Sequence, residues 1–274
     1  MLRNLLTTSP TGLPDSGRGE GNFKLTMADG LKMAKGIQRM QFAKIAAWFV
    51  IGVIFTVGNV YAQEGLEGPP PLEPDTSGWK DLFAPDLSDA IYPAGVWSFK
   101  DGVLTAEKDQ CIWTKKQYRN FILSLEFKNG PGANSGVIVY CSDLNNWIPN
   151  SIEIQICDDF AEKWAKMPPT RHCGAIFGRL APKKSMVRKP GEWNRMVIKC
   201  VGPMIYVVLN GELVTTMDMR RWTSATTNPD GSSIPPWLSR PAAELPQVGH
   251  IGLQGKHGDA DIYFRNIKIL ELTP

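Results

Sequence analysis

The segment Met196–Met217 constrains the fold more than any other. Apolar residues recur at every second position: Met196, Ile198 and Cys200, then Ile205, Val207 and Leu209. The second run meets Asn210-Gly211 before Glu212-Leu-Val-Thr-Thr-Met217. Period two marks a strand with one buried face, because successive side chains point to opposite sides of a pleated sheet. Asn-Gly supplies the positive φ that both central residues of a type I′ turn require, and that turn's twist suits a hairpin. The alternation returns in Phe121, Leu123, Leu125 and Phe127, and again in Ile152, Ile154 and Ile156. Near the end it recurs in Ile262 and Phe264, then Ile267 and Ile269. The one-residue slip at Arg265-Asn266 predicts a bulge. About ten strands are expected on this pattern. No long amphipathic helix is evident, and Lys163–Met167 reads as one short helical turn. Many short antiparallel strands, each with one apolar face, predict an all-β protein with a two-sheet sandwich or jelly roll. The absence of a repeat of roughly 20–50 residues disfavours a propeller or solenoid.

Composition agrees with this class. Gly 26 and Pro 21 suit a turn-rich chain of 274 residues, and a hydrophobic fraction of 43% is enough for a core. The formal charge of +3 is uneven: residues 1–62 hold seven basic and three acidic side chains, leaving −1 over residues 63–274. A generally basic surface for nucleic acid is therefore not expected. Five cysteines (Cys111, Cys141, Cys157, Cys173, Cys200) contain no Cys-x-x-Cys pair, which excludes a zinc ribbon or a thioredoxin-type motif. An odd number leaves at least one thiol free or paired between chains. Most are expected to be small buried apolar groups.

The front of the chain reads as an address. Lys35, Arg39 and Lys44 precede the 14-residue apolar run Ile45–Gly58, followed by Val60-Tyr61-Ala62-Gln63. That run is short for a ~30 Å hydrocarbon core, and its basic, apolar and small-residue order is that of a secretory signal cleaved after Ala62. An uncleaved anchor is the alternative. Residues 1–32 lack periodicity and read as an extension ahead of a start at Met27, Met33 or Met40. The expected organisation is thus a signal with its extension over 1–62, a Pro-rich linker over 63–77 and one domain over 78–274. The mature chain is expected outside the cytoplasm, periplasmic or extracellular, with no membrane contact after cleavage. Its oligomeric state is left open.

Three pieces could carry chemistry. In Ser151-Ile-Glu-Ile-Gln-Ile-Cys157 the isoleucines must face the core, so Glu153 and Gln155 share the opposite face about 7 Å apart. Asp158 follows at the strand's end. In Gly249-His-Ile-Gly-Leu-Gln-Gly-Lys-His-Gly258, Gln254 and Lys256 share a face and His257 stands in a Gly-flanked turn. Such a histidine can serve as a base, as a metal ligand or as a plain surface imidazole. In Gly132-Ala-Asn-Ser-Gly-Val137, Asn134 and Ser135 could bind hydroxyls or simply make the turn. Tryptophans supply faces on which sugars stack, although sandwich cores also use them. A solvated sheet face remains an alternative reading of the Glu153/Gln155 strand. The long irregular segments Asp143–Asn150, Asp158–His172 and Arg220–Gly249 are expected to be functional or disordered, the Pro-stiffened last one as an ordered wall or lid bearing Trp222 and Trp237. Gly-x-Ser-x-Gly, His-Glu-x-x-His, P-loop and Gly-x-Gly-x-x-Gly motifs are all absent, so no organic cofactor is expected. Gln155 stands where a second carboxylate would be, which counts against ordinary two-carboxylate glycoside hydrolysis.

An ordered set of motifs runs along the chain. It comprises Gly78-Trp-Lys-Asp-Leu-Phe83, Trp97-x-x-x-Asp-Gly-Val-Leu104, Asn134-Ser-Gly-Val137, Glu153-Ile-Gln-Ile-Cys-Asp158 and Gly174-Ala-Ile-Phe-Gly178. Gly191-Glu-Trp-Asn194, Leu209-Asn-Gly-Glu-Leu213, Gly252-Leu-Gln254 and Phe264-Arg-Asn-Ile267 complete it. From Gly78 to Leu272 this set resembles the 3-keto-disaccharide hydrolase domain family. The two long segments depart from the family's pattern. The resemblance implies a concanavalin-like jelly roll, a carbohydrate substrate, and cleavage of glycosides already oxidised to a ketone at C3. On that chemistry Glu153 and His257 are the expected acid–base pair, in either assignment of base. Asn134, Gln155, Asp158, Gln254 and Lys256 would orient hydroxyls, and a divalent cation at the ketone would stabilise an enediolate. A non-catalytic carbohydrate-binding module and a structural cell-surface domain are the rival readings.

Overall fold

The structure, a computed structural model, describes residues 66–273. The expected signal, with its apolar run Ile45–Gly58 and its cleavage point after Ala62, lies outside the described residues. Among those described are strands β1 (Lys80–Asp81), β2 (Ala90–Ile91), β3 (Trp97–Lys100), β4 (Val103–Ala106), β5 (Ile112–Tyr118), β6 (Phe121–Asn129) and β7 (Asn134–Cys141). They continue with β8 (Ile152–Cys157), β9 (Asn194–Val201), β10 (Met204–Leu209), β11 (Glu212–Asp218), β12 (Gly249–Leu253) and β13 (Ile262–Glu271). The only α-helix among the described residues is the single turn α1 (Glu162–Ala165), beside four short 3₁₀ turns. None is long and apolar enough to cross a membrane.

All pairings between strands are antiparallel and make two sheets. The larger runs β11-β10-β9-β6-β13-β4-β3 with β1 added on β13, and the smaller runs β2-β5-β12-β7-β8. The result is the two-sheet jelly-roll sandwich expected from the alternation. Phe121, Leu123, Leu125 and Phe127 of β6 face Ile152, Ile154 and Ile156 of β8 across one continuous core. Asn210 and Gly211 adopt φ of 51° and 79° between β10 and β11, as the type I′ turn requires. The bulge expected at Arg265-Asn266 is present, with Asn266 at φ 51° and the β6–β13 register shifting there.

Alternation fixes the register that the site depends on. Burying one isoleucine stabilises by roughly 1.5–3 kcal/mol. A one-residue slip of β8 would expose three of them and drive Glu153 and Gln155 into the core. β8 would be an open edge, but Gly174–Phe177 covers it: Gln155 and Ala175 join backbones at 3.0 Å, and Phe177 donates to Glu153 O at 2.9 Å. The Arg220–Gly249 segment is an ordered wall, with Trp222 buried and its Nε1 donating to Asn228 at 2.9 Å. Residues 66–77 lie against the larger sheet, where buried Lys199 donates to the carbonyls of Glu67 and Gly68 at 2.9 and 2.7 Å. All five cysteines are unpaired, four of them buried.

Candidate functional site

The outer face of the five-stranded sheet carries a cleft of about 370 Å³. Its floor comes from β7 and β8, with Gln254 and His257 just past the end of β12, and the register places Ile138 beside Glu153 and Gly136 beside Gln155. Two glycines make room. A Cβ at Gly136 would collide with the Glu153 carboxyl, and one at Gly252 with the Trp113 ring. Neither glycine needs positive φ; each is required by close approach.

Glu153, His257, Asn134, Gln155 and Gln254 all line this cleft. The Glu153 carboxyl has no hydrogen-bond partner among the described residues, and burial, reinforced by the nearby Asp109 charge, pushes its pKa up to about 8. It is therefore a neutral acid near pH 7. His257 is set by backbone and side chain together: its N–H donates to Asn134 O at 3.1 Å, and its Nδ1 meets the Asp109 carboxylate. A carboxylate only accepts, so Nδ1 carries a proton, and Nε2 is the ring nitrogen left for a ligand. Gln254 Nε2 donates to the other Asp109 oxygen at 3.2 Å, and Gln155 Nε2 to Asn134 Oδ1. Each glutamine is thereby left with a buried carbonyl oxygen that nothing satisfies. Unsatisfied buried acceptors are rare and costly, and both belong to residues that line the same cleft.

Two expected contributors lie elsewhere. Asp158 is buried and accepts from the backbone of Gly132 at 2.7 Å and of Phe160 at 3.1 Å, so it closes a loop. Lys256 pairs with Asp261 at 3.4 Å, away from the cleft. Its expected face assumed a strand continuing past Gln254, but β12 ends at Leu253, and the period-two rule ends with it.

Asp109 was not singled out because nothing marks one acid within Glu107-Lys-Asp-Gln110 as an orienting group. The walls come largely from the long segments expected to be functional, Trp164 and Arg171 from Asp158–His172 and Trp237 from the expected wall or lid. Trp147, Trp164, Phe177 and Trp237 surround the opening, and Arg171 lies over the rings of Trp237 and Phe177, 5.5 and 5.9 Å from their centroids. Among the described residues no three His, Cys, Asp or Glu side chains converge to hold a metal ion. The cleft offers two such donors, the Glu153 carboxyl and the Nε2 of His257, fewer than the three protein ligands that a resident divalent cation at a catalytic site usually takes.

A family model, the 3-keto-alpha-glucoside-1,2-lyase-like domain, matches residues 73–270. The chain belongs to this family. Among solved structures, a protein of Parabacteroides distasonis ATCC 8503, provisionally assigned as a glycosyl hydrolase, is 59% identical with a TM-score of 0.70. The match covers 72% of this chain and 100% of that one. Two more proteins of that organism with the same provisional assignment match at 26% identity and TM-score 0.52, covering 72% and 84%, and at 23% and 0.57, covering 68% and 90%. The 23% match speaks for the shared fold alone. No match emerged among curated proteins. Within the lyase-like domain, the matched span contains every cleft residue named above.

Proposed function

We propose that this domain cleaves 3-keto-glycosides by elimination followed by hydration, a net hydrolysis. The observation that carries this reading is one cleft holding an Asp-oriented imidazole and a carboxyl that stays protonated near neutral pH. A ketone at C3 acidifies the C2 proton and stands β to the leaving group at C1. His257 Nε2 takes the C2 proton, and the C–H electron pair becomes C2=C3 of an enolate. When the enolate collapses, C3=O returns, C1=C2 forms and the C1–O bond breaks, with Glu153 giving its proton to the departing oxygen. Water then adds: its hydroxyl goes to C1, its proton restores Glu153, and His257 returns a proton to C2. The positive charge of Arg171 on the cleft wall favours the enolate oxygen electrostatically. Asn134, Gln155 and Gln254, which line the cleft, orient sugar hydroxyls.

Ordinary two-carboxylate hydrolysis is less well supported, because Asp109 is committed to His257 and leaves Glu153 without a free carboxylate partner. The reading includes export, which rests on the basic and apolar order of residues 1–62. The test is release of the leaving group from a 3-keto-glucoside beside the unoxidised glucoside, with and without a chelator. Release from the ketone alone, unaffected by chelator, is the expected result. Equal release from both, or binding without release from either, would overturn the proposal in favour of a conventional hydrolase or a binding module.

A further inference from the structure

His257 marks one side of the cleft, and Arg171 marks the other. His257 follows β12 and bonds to Asn134 of β7, and Asn134 pairs with Cys157 of β8. Beyond β8, Gln155 joins the backbones of Gly174 and Ala175, and Arg171 stands three residues before Gly174. The strand order thus sets Arg171 across the cleft from His257, with β8 and its Glu153 between them. The Arg171 guanidinium is held over the Trp237 and Phe177 rings, and its only polar contact among the described residues is Met167 Sδ at 3.8 Å. Ring faces fix a guanidinium without using its N–H groups, which lie in its own plane. No carboxylate lining the cleft offsets this charge, because the one acid there, Glu153, is protonated near pH 7.

A planar fork of N–H donors with no acceptor matches an oxyanion, since carboxylate and sulfate oxygens can take two parallel bonds from it. It also carries more donors than one enolate oxygen can use. Its place in the cleft selects where on the sugar that oxyanion sits. In a pyranose ring C5 is the atom opposite C2. With C2 at the Nε2 of His257, C5 and its substituent project toward the side where Arg171 stands. We propose that Arg171 is a specificity residue that takes an oxyanion on the C5 substituent of the oxidised ring. The domain then prefers 3-keto-uronides, or 3-keto rings sulfated at C6, over neutral 3-keto-glucosides. The inference rests on the reaction proposed above and adds the substrate class.

The test compares 4-nitrophenyl 3-keto-glucoside with the corresponding 3-keto-glucuronide and 6-sulfate, all of one anomeric configuration. The leaving group is shared, so rate differences report the C5 substituent. At low salt, one charged substrate or both should exceed the neutral one in kcat/KM by about 10–100-fold, and the faster names the source of the oxyanion. Arg171→Met keeps the stem's length and should bring the charged-to-neutral ratio near one. Arg171→Lys, with the charge but not the fork, should keep part of it. In the parent, raising salt from about 0.01 to 1 M should shrink the ratio. A parent ratio near one, or a ratio that Arg171→Met leaves unchanged, would overturn the assignment. Calorimetric binding of the unoxidised methyl glucoside, glucuronide and 6-sulfate to the parent and to Arg171→Met needs no turnover. If no 3-keto-glycoside is cleaved, the reaction assignment fails, and this comparison decides the role of Arg171 alone. Tighter binding of a charged sugar that the variant loses supports it, and equal binding of all three by the parent overturns it.

Discussion

On the outer face of the larger sheet, polar side chains are used up by one another. Lys199 gives its ammonium to two carbonyls, Arg195 joins Glu73 at 2.9 Å and the carbonyl of Pro74 at 2.6 Å, and Arg265 joins Glu126 at 2.6 Å while lying 4.0 Å from the Trp193 ring centroid. On the outer face of the smaller sheet, polar side chains at the same strand spacing are held but left unfinished. Glu153 has no partner for its carboxyl, Gln155 and Gln254 each retain an unsatisfied oxygen, and the Nε2 of His257 is open. Buried polar groups cost stability unless they are bonded. The first face stabilises the fold, and the second keeps bonding capacity for a ligand.

Substitutions on the smaller sheet should break activity and spare folding. His257→Asn should lower the rate on a 3-keto-glucoside by about 10²–10⁴-fold, the contribution of a positioned base, with little change in Tm. Glu153→Gln should fall by a similar order and also change the pH profile. As a proton donor Glu153 must be neutral, so parent activity should decline as pH rises through about 8. If Glu153 were instead the base, activity would rise through that value. The same shift has a stability consequence. Folded Glu153 binds its proton more tightly than the unfolded chain does, so its contribution is complete below the ordinary value of 4.5 and is lost as pH rises through about 8. Denaturant titrations across that window should show a decline in the parent that the glutamine variant lacks.

A smaller effect is expected at Gly136→Ala, where the added methyl would push the Glu153 carboxyl aside. Displacing a catalytic group by about 1 Å costs up to 10²-fold, so a rate loss of roughly 10–100-fold is expected with near-parental stability. The larger sheet should answer in reverse. Lys199→Met strands two carbonyls and should cost about 1–3 kcal/mol by chemical denaturation, with the rate on 3-keto-glucoside within twofold of the parent.

The difference between the faces also explains how far the sequence could be read. Alternation placed Ile152, Ile154 and Ile156 in the core, and so pointed Glu153 and Gln155 outward together. Asn210-Gly211 and Arg265-Asn266 declared their turn and bulge through local backbone chemistry. Asp109 and Arg171 were not legible, and the wall bearing Trp237 was legible as a wall but not in its place over the cleft, because these groups reach the cleft from loops whose paths are set by packing rather than by period. Gly178 shows the mechanism: a Cβ there would strike Pro235 and Leu238, so the segment covering β8 and the long wall segment define each other's position. Lys256 was misplaced for the same reason, since a face assignment holds only while the strand lasts.

The central claim is that the cleft removes the C2 proton before the glycosidic bond breaks. Single-turnover release from a 3-keto-glucoside carrying deuterium at C2, beside the undeuterated compound, tests it most directly. If His257 takes that proton in the bond-breaking sequence, the deuterated substrate should react several-fold more slowly. That slowing should accompany whatever residual activity Glu153→Gln retains. Equal rates for the two isotopologues, with deuterium still at C2 of the released sugar, would contradict elimination and point to direct displacement at C1.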